Sequence, residues 1–184
     1  MELFKPHNAL ITTLVKSLDE IDENWRTYEG LIIPGSWPGQ DDEKFIQEAI
    51  PKIREAKESG RPFLGLCLGL QALALLEGGE LRKLDDQRQG IYPVNGWWGE
   101  TQESHWHRYR VEGEFPGYEV YETGGIIEVI RHKTLSFFVG TQFHFEYQSS
   151  KENPHPIGSE FIRACKKYTK EIIKNSYGQE DDKK

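Results

Sequence analysis

Apolar residues fall along this chain in two rhythms. Leu10, Ile11, Leu14, Val15 and Leu18 recur at helical spacing, and Pro6 suits the first turn of such a helix. Leu31-Ile32-Ile33 is a short unbroken run stopped by Pro34-Gly35, the pattern of a buried strand. Phe45, Ile46, Ala49, Ile50, Ile53 and Ala56 mark a second helical face, with Asp41 and Asp42 as caps and Gly60 as its stop. Pro51 lies inside that stretch and predicts a kink or a break. Residues 63–66 read as another buried strand, and residues 68–77 as a helix closed by Gly78-Gly79. Buried, non-alternating strands separated by helices predict an α/β fold, with a mostly parallel central sheet flanked by helices.

The second half has a different pattern. Residues 118–123 and 126–132 are strand-like and joined by Gly124-Gly125, which predicts a C-terminal antiparallel hairpin. Residues 137–143 form a further strand. Phe161, Ile162, Cys165, Tyr168 and Ile172 share one face of a last helix. No element is assigned between Gly79 and Tyr118. The expected organisation is one domain over residues 1–177, followed by a disordered polar tail at 178–184.

The chain has 184 residues, a net charge of −7 and no internal repeat. That length can bury a core without staples. Its acidity argues against a broad surface for nucleic acid or anionic membrane. Two cysteines, Cys67 and Cys165, do not make a disulfide framework, so a reducing cytoplasm is the expected compartment. The first residues lack the pattern of a signal peptide, and no apolar run reaches the length of a membrane span.

The stretch PFLGLCLGLQ (62–71) flanks one thiol with Gly65 and Gly69. Cys67 is either an inert thiol in a tightly packed strand or a nucleophile on a sharp strand-to-helix turn. On such a turn the glycines relieve collisions around a strained residue, and the helix N-terminus favours a thiolate. A cysteine nucleophile needs a base and a group that orients the base. GTQFHFEY (140–147) offers His144 at the end of a strand, with Glu146 on the same side if the chain is extended there. Pro34-Gly35-Ser36 follows the first strand and opens at the same sheet edge. It is either an ordinary turn or one that aims a backbone N–H at a reacting carbonyl, together with the N–H of Leu68. His105 and His107 lie two residues apart without a neighbouring cluster of ligands, so structural roles are expected and no metal site is assigned. Trp97-Trp98 is read as packing.

Four ordered motifs, PGSWPG (34–39), GLCLGLQ (65–71), HWHRYRV (105–111) and TQFHFEY (141–147), together resemble the class I, triad-type glutamine amidotransferases. The nearest branch in appearance is the glutaminase domain of CTP synthase. The resemblance implies hydrolysis of a glutamine side-chain amide through a thioester on Cys67. His144 would shuttle the proton, Glu146 would orient His144, and the N–H groups of Gly35 and Leu68 would hold the oxyanion. Ser36, Gln71 and Arg108 match substrate-binding positions, Arg108 as a bidentate grip on an α-carboxylate. The expected ligand is glutamine or another γ-glutamyl amide, with no cofactor. A catalytically weak binding domain is the alternative from another class.

The sequence departs from the family in four ways. Ser36 stands where the oxyanion turn has glycine, and Phe145 stands where His-Pro-Glu has proline. The family's glutamate for the ligand's amino group has no evident counterpart, and the region before Leu31 is short. No Gly-x-x-x-x-Gly-Lys-[Ser/Thr] loop is present, so the expected recipient of ammonia is solvent or a separate amidoligase or synthase chain.

Overall fold

A computed structural model describes residues 28–36 and 39–177. The helix expected around residues 10–18 and the tail expected at 178–184 lie outside the described residues. The elements in chain order are β1 (Leu31–Ile33), α1 (Asp42–Glu58), β2 (Phe63–Leu66), α2 (Leu68–Leu76), β3 (Glu80–Gly96), β4 (Gly99–Glu112), β5 (Tyr118–Thr123), β6 (Ile126–His132) and β7 (Phe138–Thr141). A single 3₁₀ turn (Phe145–Tyr147) and α3 (Pro156–Tyr177) follow.

Five strands form one sheet in the order β1-β2-β7-β6-β5. β1, β2 and β7 run parallel, and β6 and β5 continue the sheet antiparallel. The expected α/β class and the β5–β6 hairpin are both present. Gly124 and Gly125 have φ of 61° and 74°, the left-handed pair that a two-residue hairpin turn requires. Alternate residues of the central strands face opposite cores. Phe63, Phe138 and Ile130 pack with α1 and α2, whereas Leu64, Val139 and Val129 pack with α3. Both faces of the middle strands are therefore buried, which explains their unbroken apolar runs.

Helix α1 begins where the caps place it, with the Asp41 side chain accepting from Lys44 N at 3.0 Å. Pro51 does not divide it, because the helix runs unbroken over 17 residues. Pro51 lies on the exposed side, where water can satisfy the carbonyl that loses its partner. On α3, Phe161 and Cys165 are buried as expected, but Ile172 is exposed. Among the described residues no helix is long and apolar enough to cross a membrane.

The main element that the hydrophobic pattern did not reveal is the long antiparallel pair β3–β4. It closes through Gly96 and Gly99 with Trp97-Trp98 at the turn. It forms a separate two-stranded sheet. A register shift between Lys83 and Arg88 sets residues 84–87 against Arg108. The Trp pair is packing, as expected: Trp97 and Trp98 meet edge to face at 4.7 Å, and Trp98 lies against Phe143.

Candidate active site

Cys67 joins β2 to α2 with φ 49° and ψ −95°, and it is the only non-glycine residue with positive φ among the described residues. Such a backbone costs an L-residue about 1–2 kcal/mol and persists only where its surroundings fix it. A Cβ on Gly65 would lie 2.6 Å from the Gly69 carbonyl carbon, and one on Gly69 would lie 2.3 Å from the Ile33 carbonyl oxygen. Both obstacles are backbone and cannot swing away. The glycine spacing is thus a steric requirement of the sharp turn, and Cys67 is not part of a regular strand. Its N–H donates to Thr141 O at 2.7 Å, which ties the turn to the end of β7.

His144 and Glu146 come together, although not in the way the sequence suggested. The chain is not extended there. His144 precedes the 3₁₀ turn, which curls Glu146 back so that His144 Nδ1 and Glu146 Oε1 are 2.6 Å apart. Both residues are buried. Burial opposes charge on His144, but hydrogen bonds to Cys67 and Glu146 and their negative charges outweigh it and raise the imidazole to about 10. Phe145 does not displace Glu146. It is fully buried and stacks on His155 at 4.7 Å. His155 caps α3 by accepting from Ile157 N and bonds the buried Glu103 through Nε2 at 3.0 Å.

Gly35 lies against both partners. A Cβ there would stand 2.6 Å from His144 Cε1 and 3.4 Å from Cys67 Cβ. Leu68 opens the first turn of α2, where backbone N–H groups have no intrahelical acceptor. Ser36 has no left-handed backbone in this conformation, and its hydroxyl donates to Asp42 Oδ1 at 2.5 Å. Gln71 is buried on α2 and donates to the Tyr109 carbonyl at 3.4 Å. The backbone of β4 passes over the thiol, with Trp106 O 3.9 Å from Cys67 Sγ. Arg108 lies in this stretch, but its guanidinium is exposed and bonds Gln87 Oε1 at 3.4 Å.

The family model described as "Glutamine amidotransferase class-I" matches residues 7–164. This chain belongs to that family. CTP synthase of Staphylococcus aureus (strain JH9) is 28% identical over 207 residues, which take in 84% of this chain and 38% of the relative. The chain thus spans well under half the length of that relative. Among solved structures, a Thermoplasma acidophilum protein assigned to GMP synthase superposes with a TM-score of 0.63 at 22% identity, covering 79% of this chain and 76% of its own. The glutaminase domain of Trypanosoma brucei CTPS, with bound acivicin, gives 0.60 at 17% identity, covering 76% and 71%. These structural likenesses establish the fold.

Two features of this amidotransferase-family site escaped sequence reasoning. Gln142 is fully buried, and its Nε2 lies 3.6 Å from Cys67 Sγ. Beside the thiol there is also a buried polar network. Arg88 and the fully buried Glu128 form an ion pair at 3.0 Å. His105 Nδ1 faces His107 Nε2 at 3.4 Å, and His107 Nδ1 faces the Tyr109 carbonyl at 2.8 Å. A carbonyl can only accept, so His107 carries its proton on Nδ1, and His105 donates to His107 Nε2. Among the described residues no group of three or more His, Cys, Asp or Glu side chains is placed to hold a metal.

The two thiols differ in setting. Cys165 is buried on α3, and burial, with the charge of Glu29, pushes it up to about 12. A glutamine-mimicking electrophile is therefore expected to label Cys67 and spare Cys165 at neutral pH. Peptide mass spectrometry checks this, and equal labelling in the folded protein would contradict an activated Cys67.

Proposed function

We propose that this chain hydrolyses a glutamine-type γ-amide through a thioester on Cys67 and releases ammonia. The observation that carries the reading is the strained Cys67 turn, with the His144–Glu146 pair and Gly35 packed against it. In the first step the Cys67 sulfur, its proton held by His144, attacks the amide carbon. The N–H groups of Gly35 and Leu68 are suited to hold the oxyanion. Collapse breaks the C–N bond, and His144 gives its proton to the nitrogen, which leaves as ammonia. Water then attacks the thioester, again losing a proton to His144, and the acid and thiol are restored. The ammonia goes to solvent or to a separate synthase chain, as the CTP and GMP synthase relatives suggest.

A second reading concerns the substrate. Free glutamine offers a carboxylate and an ammonium. Arg108 is exposed on Gln87, and the nearby buried carboxylate Glu128 is engaged by Arg88. A partly buried ammonium without a partner costs on the order of 1–3 kcal/mol. The isolated chain is therefore expected to turn over glutamine poorly. It should prefer a γ-amide without a free α-ammonium, or need a partner chain to complete the pocket. The test measures ammonia release from glutamine and a panel of γ-glutamyl amides, with Cys67→Ala as control. Release that survives Cys67→Ala, or none from any amide even with a synthase chain present, refutes the proposed activity. Ordinary turnover and KM for glutamine by the chain alone refutes only the second reading.

A further inference from the structure

Gln142 is an expensive residue for its place. It follows β7 directly and is fully buried, where an aliphatic side chain would avoid the cost of desolvating an amide. Its backbone is fixed, because Gln142 N donates to Glu128 O at 2.8 Å, and the preceding Thr141 O accepts from Cys67 N at 2.7 Å. The side chain therefore has little freedom to seek other partners. Its Oε1 is buried without a hydrogen-bond partner, so the amide's engagement is Nε2 to Cys67 Sγ at 3.6 Å.

We propose that Gln142 is a second tuning group for the nucleophile, donating its amide N–H to the Cys67 sulfur and holding that sulfur as a thiolate aligned with His144. This rests on the reading of Cys67 as the nucleophile. A sulfur anion accepts a hydrogen bond far better than a thiol does, so a fixed neutral donor favours the charged form. Of the other groups at the Cys67 sulfur, Trp106 O can only accept and therefore stabilises the thiol. His144 supplies a charge that travels with the proton. Gln142 supplies a donor that stays in place when the thioester breaks and the sulfur leaves as an anion, before His144 returns its proton.

The test is the pH dependence of Cys67 alkylation by iodoacetamide, read by peptide mass spectrometry in the wild-type chain, Gln142→Met and Gln142→Glu. It needs no substrate. Methionine fills similar space without the N–H, and its alkylation midpoint is expected to move up by about one to two pH units. Glutamate sets a negative group against the sulfur and is expected to move the midpoint at least as far, so it carries the test if the methionine variant does not fold. An unshifted midpoint in a folded variant overturns the role of Gln142, even if turnover falls. Wild-type Cys67 that resists alkylation across the whole range overturns the nucleophile reading, and this inference with it.

Discussion

Glu146→Gln is expected to lower turnover of the hydrolysed amide by about 10³–10⁴-fold while leaving the fold intact. Glu146 accepts from His144 Nδ1 at 2.6 Å, which keeps one ring proton on Nδ1 and leaves Nε2 as the site that takes the Cys67 proton. Nε2 is on the side of Gly35, whose added Cβ would lie 3.3 Å from it and 3.4 Å from Cys67 Cβ. A glutamine amide can instead donate to Nδ1. That moves the ring proton to Nε2 and removes the base that Cys67 needs. It also removes one of the negative partners that, against the effect of burial, raise His144 to about 10. The alkaline limb of the pH–rate profile should then move to lower pH, which a merely structural Glu146 would not cause. Cys67→Ala combined with Glu146→Gln should be no slower than Cys67→Ala alone, because the residues act as a unit. Additive losses in the double variant would place Glu146 outside that unit.

The legible part of the fold was the part whose burial is apolar. Leu31 to Ile33 and Phe63 to Leu66 read as strands because both their faces meet hydrophobic cores. β3–β4 was illegible for the converse reason. The inward positions of β4 include Glu103, His105 and His107, all buried, while Trp106 between the two histidines points outward and is exposed. Hydrophobic alternation is thus inverted at the strand that crosses the thiol. Polar residues there serve the network beside Cys67, and a pattern built on apolar burial cannot register them.

The candidate site was legible where spacing encodes sterics. Gly65 and Gly69 announce the Cys67 turn because backbone lies where their side chains would be. His144 and Glu146 meet through a local geometry other than the expected one, since one 3₁₀ turn brings them together as effectively as an extended strand. Gln142 gave no signal, because its meaning depends on β7 running beside β2. Arg108 was chosen by resemblance alone. The register shift that sets residues 84–87 opposite it is a feature of pairing, which the residue string does not display.

The largest effect on stability is expected below neutral pH. Burial is the main cause that lowers both His105, to about 3, and His107, to about 4, from an ordinary 6.5. Positive charge on Arg88 and His144 lowers both further, and only the bond to the Tyr109 carbonyl supports charge on His107. The unfolded chain binds protons at these sites near pH 6.5, but the folded chain binds them only near pH 3 to 4. Their contribution to stability is therefore complete above pH 6.5 and is lost as the pH falls. One pH unit of difference is worth about 1.4 kcal/mol, so the pair can remove several kcal/mol, a large part of a typical domain's stability. Glu128 opposes this trend. Burial raises it to about 7 despite Arg88, so the folded state takes its proton first and gains stability as the pH falls from 7 towards 4.5. Its gap from the ordinary value is narrower than the two histidine gaps together, and a net loss is expected. Urea unfolding between pH 7 and 4.5 should show the wild-type free energy falling. His105→Gln with His107→Gln, which cannot take up these protons, should lose that fall, and its free energy should hold level or rise as Glu128 takes its proton, whatever its absolute stability. Parallel slopes for the two proteins would mean that these histidines do not govern the acid limb.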